Sequence, residues 1–268
     1  MEQRPRPGNP GRQENQTLAK FRIGFLLFPD MTQLDMTGPH QVFALMPGAE
    51  IHLCAKSKDP VKSIEGLAFQ PTSTYMDAPA CDIFVVPGGP GINDLLTDPA
   101  TLDFIRWQAA GAKHMASVCT GALLLGAVGL LRGKRATTHW LSLDMLKAFG
   151  AEPVNERTVM DGSIVTGGGV TAGIDFGLQM VAELVGDDAA RAIQLTIEYD
   201  PHPPFDAGNP NRADKALVES VTKASAATQA KRQAQVEKAA AALPKPAEEA
   251  PAKPAATAPA DAPVVAVP

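Results

Sequence analysis

The sequence has little of what would tie it to a disulfide scaffold, a membrane or a nucleic acid. Only 3 of its 268 residues are cysteine, an odd number with no CxxC pair. They suggest neither a disulfide framework nor a zinc knuckle, and a reducing compartment is expected. The longest apolar run, Ala122 to Leu131, is broken by Gly126 and Gly129 and falls short of the roughly 20 residues that span a bilayer. The opening segment, rich in Pro, Gly, Arg and Gln, has no apolar h-region, so we expect no secretory leader and a cytoplasmic protein. Charge is nearly balanced, 24 Lys+Arg against 29 Asp+Glu for a net of −5. That gives no electrostatic reason for a nucleic-acid or membrane partner and leaves a small-molecule substrate as the expected one. The 5 histidines lack close ligand spacing such as HExxH, so no metal is expected. Neither Gly88-Gly89-Pro90-Gly91 nor Gly167-Gly168-Gly169 follows a nucleotide-binding pattern, so no cofactor is expected.

Aromatic residues are only 5% of the chain, and none follows Phe205; glycine is absent from Asn211 onward. Residues 211–268 carry 8 Lys+Arg and 6 Asp+Glu, a net of +2, so the remainder carries −7. The chain therefore divides into a disordered segment over 1–19, one domain over 20–210, and an Ala/Lys/Pro-rich tail over 211–268. Within the tail, Ala213 to Leu243 holds good helix formers but only a thin apolar stripe, and beyond it the composition predicts disorder. With so little apolar surface to dock, removal of the tail is expected to leave stability and activity unchanged.

The body alternates strand and helix signals. Apolar runs at Phe21 to Phe28, Ile51 to Ala55, Ile83 to Val86, His114 to Val118 and Ser163 to Thr166 read as strands, with Leu67 to Tyr75 extended or a hairpin. Helices are expected from Gly38-Pro39 to Met46, Pro99 to Ala110, Thr120 to Leu130, Leu141 to Phe149, Gly173 to Leu184 and Asp187 to Thr196. This alternation predicts an α/β fold, a parallel sheet with helices on both faces, whose ligands bind at the carboxyl ends of the strands.

The strand ending at Val118 passes into a helix with no turn residues between them, which forces a tight bend at Cys119. The arrangement is that of a nucleophile elbow, with Gly121 allowing close packing. A sulfur at a helix N-terminus favours the thiolate, so a pKa below the ordinary value of about 8.5 is expected. Cys54 and Cys81 sit in or beside strands and read as structural.

Four motifs in order carry a resemblance: Asp35-Met36-Thr37-Gly38-Pro39, Pro87-Gly88-Gly89, Ser117-Val118-Cys119-Thr120-Gly121 and Ala136-Thr137-Thr138-His139-Trp140. From Phe21 to Asn209 the chain resembles the DJ-1/PfpI superfamily, whose fold is flavodoxin-like and class I glutamine-amidotransferase-like. Asp35, where deglycase-like members have glutamate, and Thr120, where peptidase-like members have histidine, make it most similar to the isonitrile-hydratase branch. The resemblance implies a cofactor-free carbon–nitrogen lyase and a homodimer. It implies Cys119 as nucleophile, Asp35 as general acid and base, and Thr120 as a residue that orients the intermediate. The amides of Gly88 and Gly89 are expected to act as an oxyanion hole, unless they merely end a strand. His139 is either a substrate-site residue or a packed structural one. The competing readings are the ligand-sensing half of an AraC-type regulator and a thiol-dependent deglycase, hydrolase or stress-response protein. The first normally carries a basic helix-turn-helix domain, which the tail does not resemble; Thr120 weakens the second.

Overall fold

Residues 20–244 are described by a computed structural model. The segments expected to be disordered, 1–19 and the tail beyond residue 244, lie outside the described residues. The first apolar run forms β1 (Phe21–Leu26), whose last four residues are buried, as the continuous apolar pattern requires of a strand covered on both faces. It pairs in parallel with β2 (Ala49–Ala55) on one side and with β6 (Ile83–Val86) on the other. Two short strands, β3 (Val61–Lys62) and β4 (Ala68–Phe69), form a separate hairpin, and β5 (Ser73–Thr74) extends the main sheet beyond β2.

The sheet continues through β7 (His114–Val118) to β11 (Ile164–Gly167) and β10 (Thr158–Asp161), in the order β10-β11-β7-β6-β1-β2-β5. A further small pair joins β8 (Arg135–Ala136) to β9 (Glu152–Pro153). All pairings in the large sheet are parallel except β10 with β11. That antiparallel edge, absent from the expected strands, turns at Asp161-Gly162, where Gly162 takes φ +63°. Asp-Gly is a hairpin signal because the turn needs left-handed backbone. The largely parallel sheet anticipated from the alternating pattern, and the flavodoxin-like architecture implied by the resemblance, are thus the observed ones.

The helices are α1 (Gln33–Ala44), α2 (Ile92–Leu95), α3 (Pro99–Gly111), α4 (Ala122–Ala127), α5 (Ala172–Val185), α6 (Asp187–Thr196) and α7 (Lys215–Ala242). Local signals explain α3: Asp98 caps it by accepting from Thr101 N–H at 2.8 Å, and Pro99 follows in the first turn. They fail for α1, which begins at Gln33 rather than at Gly38-Pro39. Its N-cap Thr32 makes no side-chain bond; the Gln33 amide is instead held by Glu65 of the β3–β4 hairpin at 3.1 Å. Asp35 therefore lies in the first turn and Pro39 inside the helix. Pro39 has no N–H, so the Asp35 carbonyl loses its helical partner. The region Trp140–Phe149 is a 3-10 helix.

The tail differs most from expectation. Helix α7 docks against α2, α4 and the 3-10 helix, burying Arg232, Val236 and Ala239. Its buried stripe is short and made of small or charged residues, so hydrophobic periodicity does not reveal it.

Candidate active site

In the sheet, β6 lies between β1 and β7, so the turns that follow these three strands converge at the carboxyl edge. Cys119 opens a single 3-10 turn, Cys119–Gly121, directly after β7. Its φ of +54° is one of three positive values at non-glycine residues among those described. Such backbone is strained for an L-residue and persists where its surroundings hold it. Here the Cys119 N–H donates to the Gly168 carbonyl at 2.8 Å, and Thr138 Oγ1 donates to the Cys119 carbonyl at 2.6 Å. Gly121 is obligatory, since a Cβ there would stand 2.1 Å from the Val86 carbonyl oxygen.

Asp35 is fully buried. Its Oδ2 accepts from the Gly88 N–H at 2.9 Å, while Oδ1 has no hydrogen-bond partner of good geometry. The neighbour that bears on this carboxyl is the Cys119 thiol, and each shifts the other's titration. Burial raises Asp35 from 3.8 to about 7, opposed by the Gly88 amide and the thiol and reinforced by Glu65. Burial first, and the Asp35 charge second, also drive the Cys119 thiol above its ordinary value. This reverses the thiol shift expected from a helix N-terminus. The turn after Cys119 is too short to muster a dipole, and desolvation of a buried sulfur outweighs the Thr120 amide and Arg232, which pull the other way. The two groups titrate as a pair, with Asp35 giving up its proton before the thiol does.

The remaining expected residues are gathered at the same place. Thr120 Oγ1 accepts from Gly89 N–H at 3.0 Å and lies 3.4 Å from the Gly89 carbonyl. The amides of Gly88 and Gly89 are thus engaged by Asp35 and Thr120, and neither is free to meet an adduct in this arrangement. Gly88 is nevertheless indispensable: a Cβ there would lie 2.5 Å from the Thr120 nitrogen and 2.9 Å from Asp35 Oδ2. His139 is half-buried and caps the 3-10 helix through Nδ1, which accepts from Leu141 N–H at 3.4 Å. Burial holds its pKa below the ordinary value, helped by Arg232. Accepting at Nδ1 leaves the proton of the neutral ring on Nε2.

His139, Thr138 and Gly168 line a cavity of about 400 Å³ with Trp140, Arg157 and Val170. Cys119 does not line it, but its backbone is hydrogen-bonded to two residues that do, Thr138 and Gly168. A larger cavity of about 510 Å³ opens beside Phe28, Lys56 and Tyr75 and contains none of these residues. The other two cysteines are buried and pushed up to about 12 by desolvation, which suits structural thiols. Among the described residues, no helix is long and apolar enough to cross a membrane.

Arg232 was not among the residues singled out in the sequence. It reaches this neighbourhood from α7, with Nε donating to Asn93 Oδ1 at 3.0 Å and Nη1 to Ser142 Oγ at 3.1 Å. The one sequence signal it had was the basic pair Lys231-Arg232, which is indistinguishable from a solvated helix face.

A sequence profile of the DJ-1/PfpI family matches residues 21–183. The chain is 52% identical over 223 residues to an isonitrile hydratase of Pseudomonas putida, covering 83% of this chain and 98% of that one. The crystal structure of a ThiJ/PfpI family protein from Pseudomonas syringae superposes with a TM-score of 0.80 at 41% identity, covering 86% of this chain and 97% of that one. An HTH-type transcriptional regulator, GbdR of Pseudomonas aeruginosa, is 29% identical over 202 residues, which are 72% of this chain and 54% of the regulator.

Proposed function

The chain belongs to the DJ-1/PfpI family, and within it we propose that it hydrates isonitriles to N-substituted formamides, with Cys119 as nucleophile and Asp35 as proton carrier. The observation that carries the reading is the pairing of a wholly buried carboxyl, raised to about 7, with the thiol of a strained elbow. The near-complete coverage of an isonitrile hydratase favours this reaction over ligand sensing.

The pair suits the chemistry because an isonitrile carbon must gain both a nucleophile and a proton. Asp35 takes the thiol proton, the sulfur bonds to the isonitrile carbon, and Asp35 returns the proton to that carbon, giving a thioimidate, R–N=CH–S–Cys119. Water then adds across the C=N bond: its hydroxyl goes to carbon and its proton reaches nitrogen through Asp35. The tetrahedral adduct collapses by breaking the C–S bond. The hydroxyl proton returns to the pair, and R–NH–CHO leaves. One water is consumed and no oxidant, reductant or cofactor is required.

Gly88 holds Asp35 and Thr120 holds Gly89, so both glycines keep the two reacting side chains in register. The wall formed by Thr138, His139 and Gly168 is the proposed approach for the substrate. The experiment is to incubate the purified chain with a panel of alkyl and aryl isonitriles and follow formamide by mass spectrometry. Binding without formamide production from any of them would favour a sensor.

A further inference from the structure

Arg232 is the feature of the molecule that the reaction above leaves unexplained. Its side chain is buried, with 5% of its surface exposed, yet among the described residues no carboxylate lies within salt-bridge distance of it. Its hydrogen-bond acceptors, Asn93 Oδ1, Ser142 Oγ and, with the Gln229 amide turned to satisfy its neighbours, Gln229 Oε1, are all neutral. An isolated buried cation is expensive, and proteins rarely keep one without an anion to answer it. The charged residues on the elements packed around it are otherwise committed. On α2, Asp94 pairs with Lys231 at 3.1 Å; on the 3-10 helix, Asp144 pairs with Lys147; α4 has no charged residue.

The guanidinium lies between Asn93, two residues past Gly91, and Ser142, whose own N–H donates to the His139 carbonyl at 2.8 Å. It is therefore lodged behind the elbow, between the two segments that frame it. We propose that Arg232 is a positioning residue of the reaction centre: α7 delivers a buried positive charge that answers the negative charge developing on the Cys119 sulfur.

The electrostatics agree in direction. Burial weakens Arg232's hold on its proton, the Cys119 charge strengthens it, and Arg232 in turn favours the thiolate. The Asp35 charge acts against the thiolate and Glu65 against the ionised Asp35, while His139, held neutral, adds no charge. The proposal rests on the reading of Cys119 as nucleophile. It also gives the C-terminal helix a place in the chemistry, since an elbow without α7 would lack this cation.

The test is the pH dependence of Cys119 alkylation by iodoacetamide, read by intact mass, in the full chain and in R232M, R232Q and R232K. Either neutral replacement is expected to move the midpoint upward by about one pH unit, slowing alkylation about tenfold below it. R232K, which keeps a charge without the fork, is expected to recover at least half of that shift. A folded neutral variant with an unmoved midpoint would overturn the proposal, as would failure of both neutral variants to fold, which would make the arginine a scaffold residue. The curve needs no turnover. A wild-type chain inactive on every isonitrile would overturn the reaction and leave this measurement to judge Arg232.

Discussion

Asp35 and Thr120 meet across the Gly88 backbone at the carboxyl edge of the sheet: the Gly88 N–H donates to Asp35 Oδ2, and its missing side chain makes room for the Thr120 amide. The meeting follows from strand order, because β6 separates β1 from β7 and its terminal glycines occupy the gap.

Gly88→Ala is therefore expected to remove activity by roughly 100-fold or more, the scale of losing an acid–base group. Its Cβ displaces Thr120 and Asp35 together, and overpacking of this kind costs about 1–3 kcal/mol. Steady-state kinetics with chemical denaturation checks both effects; full activity in a folded variant would mean that the spacing is slack.

Asp35 makes stability and activity run oppositely with pH. Its folded-state pKa of about 7 exceeds the unfolded value of 3.8, so the folded chain binds more protons between them. The stability associated with the protonated acid is complete below pH 4 and lost as pH rises through 7. At about 1.4 kcal/mol per unit the loss is at most about 4 kcal/mol. Asp35→Asn keeps an acceptor for Gly88 N–H and abolishes this dependence, so its stability relative to wild type should rise from pH 4 to pH 8. Melting temperatures across that range test the sign, and parallel curves would contradict it.

Activity should instead fall as pH drops below about 7, because the fully protonated pair has no base to free the sulfur. Asp35→Asn should lower turnover by about 100-fold or more and lose that limb of the pH profile. Cys54→Ala should retain the wild-type profile.

Thr120→Ala is expected to cost about 1–3 kcal/mol by leaving the buried Gly89 N–H without an acceptor. Thr120→Ser should restore stability and turnover together. An alanine variant with wild-type stability would show that the Gly89 amide finds another partner.

Much of this site was legible because its signals are local. The elbow shows in a strand that runs into a helix without a turn residue, and Asp35 and Thr120 show in short motifs beside it. What stayed hidden depends on contacts distant in sequence. The start of α1 is set by Glu65 of another hairpin, so Pro39 read as a first-turn residue when it sits inside the helix. The thiol shift was misjudged because burial, which no motif reports, outweighs a one-turn helix. The α7 face consists of Arg232, Val236 and Ala239, two of them residues that commonly sit in solvent.

Deleting residues 215–268 is accordingly expected to lower the melting temperature by several degrees, contrary to the expectation drawn from composition. It uncovers the surfaces of α2, α4 and the 3-10 helix against which α7 docks, and removes the buried Val236 and Ala239. Thermal melts of the shortened and full chains decide this, and coincident curves would mean that α7 contributes no docking energy.

The most direct test of the central claim is rapid-quench intact mass spectrometry of the wild-type chain mixed with an isonitrile that it turns over, run in water enriched in oxygen-18. The account predicts a transient adduct of one isonitrile on Cys119, absent in Cys119→Ala along with all turnover, and a formamide whose oxygen carries the label. Formamide production by folded Cys119→Ala would contradict it.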